Sequence, residues 1–198
     1  MKINTGHHPK REGNLSANSI NFYSFLLQQE QKREILVFTS VYILIFTAVF
    51  ILFTYPINHP DTGNYILASI TGHPMGFRPI GYSWFLSWIY TLSPSVFMIF
   101  IVQYTLYMAS GLYLIFTLKY YFKPNSRILF FVFSLLIILS PTAIYLSNTL
   151  LSDSLFISLT MFWLSSGIWL LRRINALTLI MHLFFLTLAM NTRYIGLF

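Results

Sequence analysis

From residue 35 onward this chain is a succession of apolar runs, each near the length of a bilayer core, with short clusters of Lys and Arg between them. A spanning helix needs about 20 predominantly apolar residues. Residues 35–55 supply one run, 95–118 a second, 127–145 a third with Pro141 near its end, and 151–171 a fourth. Residues 176–190 form a shorter fifth, with room to continue past Arg193. Charged residues make up 9% of the chain, against about 25% in ordinary soluble domains, too few to dress a water-facing surface. The pattern predicts an all-α, polytopic membrane helix bundle of about five transmembrane helices. A net charge of +7 raises nucleic acid as a partner, but the basic residues lie in clusters between apolar runs, as in loops held on one side of a membrane. The partner is therefore the lipid bilayer, and nucleic acid is excluded. With no cysteine, disulfides, thiolate metal sites and cysteine nucleophiles are excluded too.

Residues 1–34 differ from the rest. They hold three of the five acids, Glu12, Glu30 and Glu34, and five of the twelve Lys and Arg. They read as a cytoplasmic segment, too long and polar for the n-region of a cleaved leader. Residues 20–27 could lie on the membrane as a short amphipathic helix. His7-His8 is too short for a metal tract, and the Asn14-Leu15-Ser16 sequon falls on the predicted cytoplasmic side. Residues 35–198 form the transmembrane domain, with a long outer loop at 56–94. Within that loop, 61–70 reads as a short helix, 72–76 (Gly-His-Pro-Met-Gly) as a break, and 80–92 as an interfacial helix with Trp84 and Trp88 at headgroup depth.

Lys and Arg counts set the predicted orientation. With the N-terminus inside, ten basic residues lie on the cytoplasmic side and only Arg78 and Arg193 outside. Past residue 34 the chain has only two acids, Asp61 and Asp153, and this orientation puts both on the same outer face as the two arginines. Acids are costly in or near a bilayer, so those that remain are functional candidates. Each also sits where a helix begins, so an N-cap role stands beside the functional one. Arg78 and Arg193 would either anchor to lipid phosphate or hold the phosphate of a ligand, since guanidinium forks suit phosphate oxygens. His59 and His73 are the imidazoles that would join Asp61 in a divalent metal site, with nothing in the sequence to fix the geometry. His182, in mid-helix, reads as a packed or hydrogen-bonded residue. There is no glycine-rich phosphate loop, nucleophile elbow or HExxH motif. Two carboxylates, two arginines and an amphipathic loop suit group transfer from a lipid-borne phosphate donor.

The order of short motifs adds to this. Pro60-Asp61-Thr62-Gly63-Asn64-Tyr65 opens the loop, and Gly72-His73 followed by Arg78-Pro79-Ile80-Gly81-Tyr82 leads an aromatic helix. Leu139-Ser140-Pro141, then Ser152-Asp153-Ser154-Leu155-Phe156, then Asn191-Thr192-Arg193-Tyr194-Ile195-Gly196-Leu197 follow. In that order they resemble the N-terminal part of the GT-C superfamily of multi-pass glycosyltransferases, which includes the protein O-mannosyltransferases and aminoarabinose-transferase relatives. The resemblance covers residues 35–198. It implies an inverting transferase that uses a polyprenyl-phosphate-linked sugar donor and a lipid, glycan or protein acceptor, in a bacterial plasma membrane. It implies Asp61 as catalytic base and Asp153 as a second acid arranging acceptor or metal; beside these, Arg78 and Arg193 are the candidates for donor phosphate, and Tyr65 and Tyr82 for substrate binding. The family often has Asp-Glu or Glu where this chain has Asp61-Thr62 and Ser152-Asp153-Ser154. Its members continue through further spanning helices, so the resemblance implies a fragment or truncated product, with inactivity expected if 198 residues is the full length. The alternatives are a non-catalytic membrane scaffold or subunit, and a polysaccharide transporter, flippase or polymerase segment; the near absence of ions within the spans weighs against the latter.

Overall fold

The computed structural model describes residues 21–53, 57–76 and 78–194. The His7-His8 pair, the sequon at Asn14, Phe77 and the Ile195-Gly196-Leu197 motif lie outside the described residues. Regular structure among the described residues is helical: α1 (Phe22–Leu26), α2 (Gln29–Leu52), α3 (Thr62–Thr71), α4 (Gly81–Leu92), α5 (Val96–Phe122), α6 (Arg127–Ile138), α7 (Pro141–Ser147), α8 (Ser152–Arg172) and α9 (Ala176–Thr192). An isolated parallel bridge joins Ile57 to Thr149. The chain is an all-α polytopic bundle. Four helical stretches are long and apolar enough to cross a membrane: α2, α5, α6 with α7, and α8. The expected fifth, α9, is apolar but has 17 residues.

α5 is the central helix, with half of its apolar window buried against 11% for α2. It touches α8, α7, α2, α4, α6 and α1. α8, which packs along it, buries four small residues, Ser154, Ser158, Ser165 and Ser166. Small side chains let helix backbones approach closely where no hydrophobic force drives association. Two of these serines, 158 and 165, donate back to carbonyls four residues earlier, at Ser154 and Met161, so their hydroxyls are satisfied without water. α8 also packs along α9, where Trp163 Nε1 donates to His182 Nε2 at 3.1 Å and the Ser166 hydroxyl lies 3.4 Å from His182 Nδ1. His182 is thus a hydrogen-bonded interhelical residue. Gly167 leaves room for it: an added Cβ would stand 3.3 Å from the imidazole.

The third apolar run is two helices instead of one. Ser140 caps α7 by accepting from Ala143 N, and Pro141 is its first residue. Proline has no N–H to give the carbonyl four residues back, which here is Ile137. The Tyr107 hydroxyl, buried on α5, donates to that carbonyl instead. The break is therefore stabilised from the neighbouring helix.

α2 begins six residues before the apolar run predicted for it, because its polar first turns have partners. Lys119 Nζ reaches Glu34 at 2.5 Å and Gln31 at 2.9 Å, and Arg127 meets Glu30 at 2.9 Å. α1, the described part of the amphipathic segment expected at 20–27, sets Phe22 edge-on to Trp169 of α8. These contacts gather at the basic end of the bundle, with Arg172. The opposite end, here the loop end, carries α3, α4 and the connection between α7 and α8.

Candidate functional site

At the loop end, chain entry into α3 is fixed by Thr62 and not by its acidic neighbour. The Thr62 hydroxyl accepts from His59 N at 3.1 Å and donates to the Leu150 carbonyl at 3.3 Å. Asp61 occupies the N-cap position but makes no side-chain capping bond. Its carboxylate is paired with the Arg78 guanidinium. Gly72, in the left-handed region at φ 72°, ends α3 and turns the chain back so that Arg78 can reach Asp61.

Asp153 behaves in the same way. It lies in the first turn of α8, whose N-cap is Leu151 with no side-chain cap, and its carboxylate is paired with Arg193. The two flanking serines face elsewhere: Ser152 Oγ is 2.9 Å from the Tyr65 hydroxyl, and Ser154 Oγ is 3.2 Å from Ser147 Oγ. Of the two roles open to each acid, side-chain capping is not used, and an ion pair with an arginine stands in its place. Asp61 is the more open of the two, 47% exposed against 23% for Asp153.

Tyr65 connects the pairs. Its ring lies under the Arg78 guanidinium, 5.6 Å from centroid to Cζ, within cation–π range. Its hydroxyl meets Ser152, the residue before Asp153. Gly81 draws the α9 end of the second pair inward: a Cβ there would stand 2.4 Å from the Asn191 carbonyl oxygen, so only glycine lets α4 start against the end of α9. The four charged residues and Tyr65 thus form one cluster at the loop end.

Tyr82 is fully buried edge-to-face with Tyr65, centroids 5.0 Å apart. Its hydroxyl donates to Gln103 Oε1 at 2.7 Å, and Gln103 Nε2 donates to the carbonyls of Ser147 at 3.2 Å and Thr149 at 3.1 Å. Burial, with Tyr65 adding to it, raises the Tyr82 pKa above its ordinary value. Tyr82 has no face open to a substrate; it supports the floor of the cluster. The residues on hand do not fit a metal. His59 Nε2 is 3.2 Å from the Tyr145 hydroxyl, His73 is exposed, and Asp61 is held by Arg78. Among the described residues no three His, Cys, Asp or Glu side chains form a metal-binding group. Gln103 was not singled out from the sequence, and Thr62 and Ser152 stood there only as neighbours of the two acids. Gln103 offered the clearest signal, as the one amide side chain in the run 96–122.

No family model, curated protein or solved structure matches this chain.

Proposed function

We propose that the paired-charge cluster is the working site of a membrane glycosyltransferase, or of the N-terminal part of one. It would move a sugar from a polyprenyl-phosphate-linked donor to a lipid, glycan or protein acceptor on the non-cytoplasmic face of a bacterial plasma membrane. The cytoplasmic N-terminus follows from the excess of Lys and Arg at the basic end. The observation that carries the reading is that both membrane-region carboxylates are held by arginines at one end, joined through Tyr65 and Ser152, instead of being spent on helix N-termini.

In this reading Asp61, the more open acid, takes the proton from the acceptor hydroxyl or amine. The acceptor atom bonds to the anomeric carbon from the opposite face, and the bond from that carbon to the phosphate oxygen breaks. The phosphate leaves with the electron pair and is stabilised by arginine. Arg78 has to leave Asp61 before Asp61 can act, and the donor phosphate is the anion that competes for the same guanidinium. Asp153, held by Arg193, orients the acceptor.

The test is transfer by the purified chain in liposomes that contain a polyprenyl-phosphate-linked sugar. Asp61→Asn is expected to lower turnover by about 10²–10⁴-fold. Full turnover by that variant ends the base assignment, and failure of the wild type to bind a polyprenyl phosphate ends the reading. A second reading, a non-catalytic membrane subunit, is favoured by the engagement of both carboxylates, as in a structural clasp. Co-purification of a second chain that supplies further helices supports it; transfer by the purified chain alone sinks it.

A further inference from the structure

Four acids lie among the described residues, and each is already paired: Glu30 with Arg127, Glu34 with Lys119, Asp61 with Arg78 and Asp153 with Arg193. Nine Lys and Arg lie among the same residues, so five are left without an acid: Lys32, Arg33, Lys123, Arg172 and Arg173. All five are exposed, and all stand at the basic end. The two sides of that end differ. Where α2 meets α5 and α6, Lys119 and Arg127 are neutralised by Glu34 and Glu30. Where α5 and α8 end, no described acid pairs with Lys123, Arg172 or Arg173.

Arg172 is pre-set for an anion. Its guanidinium lies 5.8 Å from the ring centroids of both Tyr121 and Phe122, within cation–π range. The two rings hold the fork in place and leave its N–H groups without an acid. Arg173, the next residue, is close enough to the Tyr121 hydroxyl to act on it electrostatically. A helix C-terminus favours a cation, but its dipole end carries only about half a charge, which does not balance two neighbouring guanidiniums. Planar guanidinium forks suit phosphate oxygens.

The length of α8 sets where this end meets the membrane. Its 21 residues rise about 31 Å, close to the roughly 30 Å of a hydrocarbon core. Charge stands only at its two ends, Asp153 in the first turn and Arg172 in the last. Aromatic side chains mark the same two levels. Tyr120, Tyr121 and Trp169 pack together at the basic end, and Trp84 and Trp88 are exposed at the loop end, as in the aromatic belts of membrane–water interfaces. The unpaired arginines therefore stand at headgroup level, with Phe122, Leu171 and Ile174 exposed beside them to meet acyl chains.

We propose that the ends of α5 and α8 form a binding site for the headgroup of an anionic phospholipid, whose phosphate is held by Arg172 and Arg173 with Lys123 beside them. The site lies at the opposite end from the paired-charge cluster and does not depend on its proposed role. A zwitterionic lipid brings the same phosphate with a cation of its own, so the site favours a lipid of net negative charge.

The test is native mass spectrometry of the full chain in mild detergent with two added probes, dioleoyl phosphatidylglycerol and dioleoyl phosphatidylcholine. The wild type is expected to retain the phosphatidylglycerol about tenfold better or more, the effect of two basic residues near one headgroup. Arg172→Gln combined with Arg173→Gln brings the two lipids level. Lys32→Gln combined with Arg33→Gln removes the same charge from the same end and leaves the preference unchanged. Equal retention of the two lipids by the wild type overturns the proposal, and needs no variant to fold. A preference that survives the double arginine change overturns it as well. So does an equal loss in the Lys32 and Arg33 variant, which would report diffuse attraction to the whole end and no site. Displacement of the phosphatidylglycerol by inorganic phosphate at equal concentration would assign the arginines to a free anion and also overturn it.

Discussion

Replacing Gln103 with Leu tests whether the buried network under the charged cluster holds the loop end together. Gln103 is fully buried and makes three hydrogen bonds, one from Tyr82 and two to backbone carbonyls, at Ser147 in the last turn of α7 and at Thr149 in the connection to α8. Interhelical side-chain hydrogen bonds in membrane proteins average about 0.6 kcal/mol and reach about 1.7, while a buried polar group left without a partner costs about 1–3 kcal/mol. Gln103→Leu loses all three bonds and strands the Tyr82 hydroxyl, so a loss of about 2–4 kcal/mol is expected. Tyr82→Phe loses one bond and strands Gln103 Oε1, at about 1–2 kcal/mol. In the double variant no stranded hydroxyl or amide oxygen remains, so its loss should match Gln103→Leu and fall short of the sum by about 1 kcal/mol or more. Unfolding in mixed micelles, followed by far-UV circular dichroism, gives the three values. If the single effects add to within about 0.3–0.5 kcal/mol, as for independent sites, the two residues are not coupled and the network argument fails.

Four further outcomes follow from the geometry. Gly81→Ala drives a methyl into the Asn191 carbonyl and is expected to destabilise the fold by about 1–3 kcal/mol, read as a lowered melting temperature in detergent. Tyr107→Phe strands the Ile137 carbonyl in the wild type, but Pro141→Ala returns a backbone N–H to that carbonyl; the tyrosine change is then expected to cost less in the Pro141→Ala background, by about 1 kcal/mol. Asp61→Asn frees Arg78 and is expected to raise affinity for a polyprenyl phosphate severalfold in a binding titration, while Arg78→Gln lowers it; an unchanged affinity in Asp61→Asn means that the carboxylate does not compete for Arg78. Because the Tyr82 pKa is raised by burial, its contribution to stability is full below the unfolded tyrosine pKa of about 10 and is lost as pH rises above it. Tyr82→Phe should therefore flatten the alkaline limb of a stability–pH curve.

The helices were legible in the sequence because their signal is local: length and hydropathy mark α5 and α8 to within a few residues. The split of the third run was only half legible. Pro141 is visible, but the Tyr107 hydroxyl that stabilises the break comes from another helix, 30 residues away from the carbonyl it meets. The start of α2 was set six residues late because hydropathy treats a polar turn as the end of a span, whereas Lys119 and Arg127 give Glu34 and Glu30 a reason to be helical. For the acids, local sequence left a cap and a functional role side by side. Asp61 and Asp153 both stand where caps stand, and their arginines lie 17 and 40 residues further on, beyond any local pattern. The rarity of acids and of outlying arginines was the legible part; which acid meets which arginine required the fold.

The Gly81 contact and the two ion pairs have an electrical consequence. Each carboxylate at the loop end is matched by one guanidinium, so the cluster as a whole carries no net charge. A charge moved across a membrane potential gains or loses about 2.3 kcal/mol per 100 mV, but an exchange of partners among groups at one depth moves almost none along that field. Energising the membrane would then leave the occupancy of this cluster where it was, and any voltage dependence found there would report a pair that had separated in depth.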